Sequence, residues 1–224
     1  MDDRLYLAAS LYPHCRLGAD IGTDHGYLPC HLLQNSICER MILSDVSAAA
    51  LSKADALIRQ KRLGDRATLI CADGLDSVTE KCDCISITGM GGELMAGMIL
   101  RGRERLQGAA LILSAHTDLD LVRSAVELIG YHFTHEELCH SGGRYYIVWK
   151  AEPGACSLSE DERILGTDLL LRSGNPLLAG YLEWRIRVTE KKLSGLRSAA
   201  VQDAAAIAIL EHHIAIFKEA LSQC

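Results

Sequence analysis

Two aspartates and two glycines in the run Ala19-Asp20-Ile21-Gly22-Thr23-Asp24-His25-Gly26-Tyr27-Leu28-Pro29 are the first residues of this chain whose types and spacing could do chemistry. Glycines let the backbone turn sharply and approach a ligand, and Asp20 or Asp24 can hold a positively charged amino group. A pyrophosphate would need free amide donors at a helix N-terminus and little negative charge nearby, so the two acids favour a cationic ligand. An ordinary strand-to-helix turn has the same composition, and an isolated Asp-x-Gly does not decide between the two.

Three later segments add to the set. Asp45 follows the glycine loop by about the 20 residues at which Rossmann-like folds place an acid on ribose hydroxyls, although it could equally cap a helix starting near Val46 and Ser47. In Cys71-Ala72-Asp73-Gly74-Leu75, Asp73 can accept from an adenine amino group while Gly74 admits the ring; an Asp-Gly turn is the plainer reading. Ile87-Thr88-Gly89-Met90-Gly91-Gly92 offers a backbone-lined floor at Gly89, with the polarisable Met90 sulfur able to pack on a base. An amino group, a ribose and an adenine together describe S-adenosylmethionine.

These segments must sit at the ends of strands. Short apolar runs at Leu17–Ile21, Arg40–Ser44, Ala67–Cys71, Cys84–Thr88 and Ala109–Ser114 alternate with amphipathic stretches, which predicts a parallel α/β sheet with crossover helices. Tyr131–Leu138 and Arg144–Lys150 are joined by Ser141-Gly142-Gly143, too short for a crossover, so an antiparallel hairpin closes the sheet. A Rossmann-like domain over residues 1–155 is expected. Glu152 to Ser157 reads as a linker, and Ser159 with Glu162 as a capping box opening a helical domain over 156–224. There, a short helix should precede a helical hairpin, one arm running from Pro176 to about Arg197 and the other from Val201 to Leu221.

The composition excludes several classes. The 224 residues are 49% hydrophobic and 23% charged, enough for a core and unlike a disordered chain. No apolar run reaches the ~20 residues of a membrane span and the N-terminus lacks the pattern of a signal peptide, so a cytoplasmic protein is expected. Nine cysteines without zinc spacing read as reduced, mostly buried thiols, and no metal site is expected. A net charge of −6 disfavours broad nucleic-acid binding, leaving local basic patches as the place to look.

The five strands with a terminal hairpin resemble class I methyltransferases. More specifically, Ala-Asp-Ile-Gly-Thr-Asp-His-Gly-Tyr-Leu-Pro and Thr-Gly-Met-Gly-Gly resemble the bacterial tRNA adenine-N1-methyltransferase family that modifies position 22 of tRNA. The likeness continues through Gly143-Arg144-Tyr145-Tyr146 and Gly174-Asn175-Pro176-Leu177-Leu178. It implies cofactor contacts at Asp20, Gly22, Asp45, Asp73, Gly74 and Gly89, with Asp24, His25 and Met90 beside the transfer site. The absence of an Asn-Pro-Pro-Tyr motif after the fourth strand leans toward N1 rather than an exocyclic amine. Leu113 to Asp118 departs from the pattern of some relatives in having no proline.

Adenine N1 carries a lone pair, so methyl transfer to it needs alignment and no general base; Asp24 is the candidate to stabilise the cation that forms. Exposing N1 means unstacking the base, at a cost of about a few kcal/mol, which Tyr27 and Met90 could offset by packing. For tRNA phosphates the candidates are Arg101, Arg103 and Arg105 after the glycine motif, and Arg172, Arg185, Arg187, Lys191, Lys192 and Arg197 in the helical domain. Two other readings stand beside this one. The first is a methyltransferase for a small molecule or protein whose helical tail dimerises. The second is a noncatalytic cofactor-binding RNA scaffold.

Overall fold

The computed structural model describes residues 1–199, 201 and 203–224, which fall into two compact units, Met1–Ser157 and Leu158–Cys224. In the first unit the chain runs α1 (Asp3–Leu11), β1 (Cys15–Ile21), α2 (Tyr27–Gln34), β2 (Cys38–Asp45), α3 (Ala48–Gln60), β3 (Ala67–Cys71), β4 (Cys84–Met90), α4 (Gly92–Arg101), α5 (Arg103–Leu106), β5 (Ala110–Ala115), α6 (Leu119–Leu128), β6 (Tyr131–Ser141) and β7 (Arg144–Pro153).

The seven strands form one sheet in the order β3-β2-β1-β4-β5-β7-β6. β1 to β5 are parallel, and β7 runs antiparallel to both β5 and β6. Apolar residues fill the central strands because helices cover both faces; Ala19, Ile42, Leu43, Ile85, Ile87, Leu111 and Ile112 are all buried. All five expected parallel strands are present, most extended by one to three residues. Gly142 and Gly143 turn the hairpin with φ +56° and +77°, the left-handed pair that a two-residue turn requires. The hairpin is longer than its apolar pattern suggested, and β7 takes in Glu152 and Pro153 from the expected linker.

One polar cluster lies inside this core. Arg123 on α6 and Glu136 on β6 are fully buried; a single Glu136 oxygen, Oε1, accepts from Arg123 Nε (2.9 Å), Arg123 Nη2 (2.6 Å) and Trp149 Nε1 (2.8 Å). The pair joins α6 to the hairpin. The cysteines are free, but only Cys30, Cys38, Cys82 and Cys84 are fully buried, fewer than expected, and Cys71 and Cys224 are exposed.

The second unit contains α7 (Glu160–Leu165), α8 (Asp168–Leu171), α9 (Leu178–Ser198) and α10 (Ala204–Leu221). The expected capping box exists: Glu162 N donates to Ser159 Oγ, and Ser159 N donates to Glu162 Oε2. Two short helices stand where one was expected. α9 and α10 are antiparallel, with Arg185 over the Phe217 ring, Glu190 paired with Lys218, and Arg197 with Glu211. Gln202, part of the second expected arm, lies outside the described residues, and α10 starts after Asp203, whose carboxylate accepts from Ala206 N. Among the described residues no helix is long and apolar enough to cross a membrane.

Candidate active site

β1 and β4 are neighbours, yet the chain leaves β1 toward β2 on one side and β4 toward β5 on the other. The loops after these strands therefore diverge and leave a cleft at the strands' C-terminal ends, the position at which open α/β sheets bind ligands. The cavity there, about 140 Å³, is lined by Arg4, Asp20, Gly22, Asp24, Tyr27 and Gly89 among others.

Asp20 forms the floor. The β1–β4 register sets it opposite Ser86, whose hydroxyl donates to Asp20 Oδ1 at 2.6 Å. Tyr12 Oη lies 3.1 Å from the same Ser86 oxygen and donates to Ala19 O at 3.1 Å, fixing the floor from α1's side. Asp20 is 4% exposed, and burial pushes its carboxyl up to about 6; the Ser86 and Thr23 hydroxyls and the Arg4 guanidinium draw it part of the way back. The group is an anion at neutral pH that a cation in the cleft would stabilise.

The loop above Asp20 spends its amides internally. Gly22 N and Thr23 N both donate to Ser44 O, at 2.8 and 2.9 Å, and Asp24 N donates to Asp45 Oδ2 at 3.1 Å. A phosphate-binding loop would leave such amides pointing at its ligand. Here they tie β1's loop to β2, and the carboxylates are what the cleft presents. Gly22 has φ +73°, and a Cβ there would lie 2.9 Å from Met90 Cε, so Met90 packs directly against the loop.

Asp45 does not cap α3; Ser47 does, accepting from Ala50 N. The two Asp45 oxygens instead accept from Asp24 N and Ser47 N, which orients the carboxylate at the end of β2 with lone pairs remaining on each oxygen. Asp24 itself is left-handed, φ +47°, a conformation that Asp tolerates better than most residues. Its exposed carboxylate stands 3.6 Å from His25 Nε2, and the His25 ring stacks on Tyr27 at 5.4 Å and 10°. Tyr27 is half exposed, which presents an aromatic edge at the mouth of the cleft.

Asp73 and Gly74 line a neighbouring cavity with Met98 and Arg101. Asp73 precedes a short 3-10 turn without capping it, and Ala72 N donates to Asp45 O at 3.3 Å, which ties the end of β3 to the end of β2. Arg103 and Arg105 are exposed on α5; Lys191 and Lys192 are exposed on α9. Arg185 differs from the expectation of an open phosphate contact, because its guanidinium donates to Tyr181 Oη at 2.7 Å and covers Phe217. Arg172 and Arg187 pair with Asp168 and Glu183 on their own helices.

Sequence reasoning missed Arg4, Ser86 and Tyr12. A cation at Arg4 on the same helical face as buried Ala8 is the one local hint. Arg4 lies over the Tyr146 ring, 5.5 Å from its centroid, and Tyr146 contacts His116 edge-on at 5.6 Å. Burial and the Arg4 charge hold His116 below the usual imidazole range, so it is neutral at pH 7.

A family model described as a methyltransferase domain matches residues 1–149, two-thirds of the chain. The chain belongs to this family. Its methyltransferase domain comprises the whole sheet except the last residues of β7. The methyltransferase is 28% identical over 181 residues to the tRNA (adenine(22)-N(1))-methyltransferase of Bacillus subtilis, covering 80% of this chain and 75% of the relative. A solved structure from Streptococcus agalactiae, described as a protein of the NADB-Rossmann superfamily, matches with TM-score 0.88 and 25% identity over 99% of this chain and 97% of that one. The M. capricolum TrmK structure in complex with S-adenosylhomocysteine matches at 0.85 and 22%, over 99% and 98%.

The glycine-rich end of β4 in this methyltransferase yields a stability prediction. Thr88 pairs with Ser114 and Met90 with Ala115, so Gly89, at φ +82°, is an extra residue that bulges the strand. Gly92 opens α4, and a Cβ there would collide with the carbonyl oxygens of Thr117 and Asp118, backbone atoms that cannot swing aside. Gly92→Ala should destabilise the protein by about 1–3 kcal/mol, visible as a lowered Tm. An unchanged Tm would mean that the loop after β5 yields freely.

Proposed function

We propose that the chain transfers a methyl group from S-adenosylmethionine to N1 of adenine 22 in tRNA, in the cytoplasm. The observation that carries the cofactor reading is the loop after β1, whose amides are bonded within the protein while Asp20, Asp24 and Asp45 face or border the cleft. That arrangement suits a cation and opposes a diphosphate. The substrate reading is supported by the relationship to the B. subtilis enzyme.

In this reading residues 1–155 are the catalytic domain. Asp20 takes the cofactor's amino group, Asp45 the ribose, and Asp73 with Gly74 the adenine, while Gly22 and Gly89 keep the backbone close. Bound, the cofactor supplies a methyl group on a sulfonium. His25, Tyr27 and Met90 hold the target base, the stacked His25–Tyr27 pair offering an aromatic surface at the mouth. N1 has its own lone pair, so the protein moves no proton; Asp24 provides negative charge where the purine becomes cationic. Residues 156–224 contact tRNA through Lys191 and Lys192, with Arg185 bracing the helical hairpin behind them, and Arg101 and Arg103 add contacts from the first unit.

The test is transfer of labelled methyl to unmodified tRNA, with the nucleoside identified by mass spectrometry. N1-methyladenosine should form, and should vanish when position 22 is not adenine. Asp24→Asn keeps the left-handed backbone and should lower kcat roughly 10- to 100-fold, with cofactor Kd within about twofold, as expected for charge needed only in the transition state. Labelling of protein or a small molecule with no labelling of tRNA would select the alternative substrate class, and cofactor and tRNA binding without turnover would select the scaffold.

A further inference from the structure

β1 and β2 both begin on a cysteine, and the parallel register sets Cys15 directly opposite Cys38. Residues opposite each other on neighbouring strands have Cα atoms about 4.8 Å apart, within the ~4.4–6.8 Å that a disulfide bridges. The two sulfurs stand 3.0 Å apart, and both thiols are free. A covalent bond requires them to close by about 1 Å. Gly18 leaves the Cys38 sulfur its room, since a Cβ there would lie 3.2 Å from Sγ.

The two thiols are not equivalent. Cys38 is completely buried, whereas Cys15 is half-buried and lines an open cavity of about 710 Å³ with Pro13, His14, Arg16 and Asp83. That cavity lies where β1 and β5 begin, at the opposite end of the sheet from the cleft. The Cys38 thiol donates to the Cys15 sulfur and holds the Cys15 thiol below its ordinary value, against burial and the charges of Asp83 and Glu39. The same bond, together with burial, pushes Cys38 up. The accessible sulfur is therefore the one that ionises, and a protonated thiol is held directly behind it. A third thiol near the pair, Cys84 on β4, is fully buried and pushed up chiefly by that burial, which leaves Cys38 as the partner.

We infer that Cys15 and Cys38 form a redox-active dithiol, a site that hydrogen peroxide converts reversibly into a disulfide. The Cys15 thiolate attacks one peroxide oxygen and breaks the O–O bond; its sulfur becomes a sulfenic acid, and the other oxygen leaves as hydroxide and takes up a proton to become water. The Cys38 thiol then displaces the sulfenic hydroxyl, which departs with the thiol's proton as a second water while the S–S bond forms. Two electrons pass from the sulfurs to the peroxide. A small dithiol returns them by exchange and is itself oxidised to a disulfide. The bond closes a loop of about 24 residues that contains the glycine-rich turn after β1 and all of α2. It joins the two strands that carry Asp20 and Asp45 at the end remote from both carboxylates, so it ties the scaffold of the cleft together and leaves the cleft open.

The experiment exposes the dilute full-length protein to hydrogen peroxide, alkylates the remaining thiols and maps the peptides by tandem mass spectrometry, with Tm read before oxidation, after it and after reduction by a dithiol. Cys15 should be found linked to Cys38, and Tm should rise by roughly 5–10 °C and return on reduction, as expected for closing a loop of that length. A dione probe that captures sulfenic acid separates the two roles, with the exposed Cys71 and Cys224 as references for reactivity. Cys38→Ala should accumulate the label on Cys15, because no thiol resolves it, and Cys15→Ala should leave Cys38 unlabelled. The wild-type peptide map tests the bond without relying on either variant to fold. Oxidation of Cys71 and Cys224 with no Cys15–Cys38 link, or with a link through Cys84 in its place, would overturn the inference. Labelling of Cys38 in Cys15→Ala as fast as Cys71 would do the same, since the buried thiol would then be the reactive one. A link that lowers Tm would also count against it, because the strands would have to be distorted to make the bond.

Discussion

Asp20→Asn is expected to give a protein that is more stable without ligand at pH 8 yet binds S-adenosylmethionine at least tenfold more weakly. Asp20 is raised from 3.8 to about 6 chiefly by burial, so its folded form holds a proton that the unfolded chain has released. Stability from this group is intact below pH 4, falls between pH 4 and 6, and stays lower above, a difference of about 3 kcal/mol at most. Asn keeps an oxygen for the Ser86 hydroxyl and removes the charge, but buries an amide of its own, so a net gain of about 1–2 kcal/mol is expected.

Binding should run the opposite way. A cationic amino group favours ionised Asp20, so wild-type affinity should drop roughly tenfold between pH 7 and pH 5, while Asp20→Asn should be weak and flat across that range. The groups that face Asp20 are Arg4 and Asp45, together with the Ser86, Thr23 and Tyr12 hydroxyls. Chemical denaturation and calorimetry at pH 5, 6, 7 and 8 measure both halves. A variant that binds as tightly as wild type would remove Asp20 from the cofactor site.

Arg123→Met should destabilise the first unit by about 3–5 kcal/mol, because it abandons Glu136 as a buried carboxylate with Trp149 Nε1 as the remaining donor among those described above. Glu136→Leu should be damaging for the mirror reason. The double variant Arg123→Met/Glu136→Leu should recover most of the loss, since two apolar side chains of similar size avoid desolvating either charge. Urea unfolding of the four proteins gives the coupling energy directly. Additive losses would show that the pair contributes by packing and not by charge. The hairpin held by this pair carries Tyr146 on β7, the ring that meets Arg4 and His116.

The five parallel strands, the Gly142-Gly143 hairpin turn and the capping box at Ser159 were legible because each is a local matter of apolar spacing and turn chemistry. The same locality explains the errors of extent. The linker expected at Glu152 looked polar, but its first residues extend β7 opposite Tyr131 and His132, which a local pattern cannot foresee. Asp45 shows the limit at a single residue. Its type allowed a ribose contact or a helix cap; the cap is Ser47, while each Asp45 oxygen accepts one backbone amide and keeps a lone pair for a ligand.

By itself the sequence determined that acidic turns follow strands one, two and three, with glycines after the first and third, that a glycine-rich turn follows strand four, and that a cation would be welcome there, since those features lie within runs of a few residues. Tertiary structure alone decided that Asp20 sits on Ser86 with a raised carboxyl, that the loop's amides are consumed by Ser44 and Asp45, and that Arg4 enters the cleft past Gly89. Each of these joins residues far apart in the chain through strand register, a bulge or burial. Such contacts leave no periodic trace in the sequence because their energy comes from desolvation and close approach, which exist only once the sheet has formed.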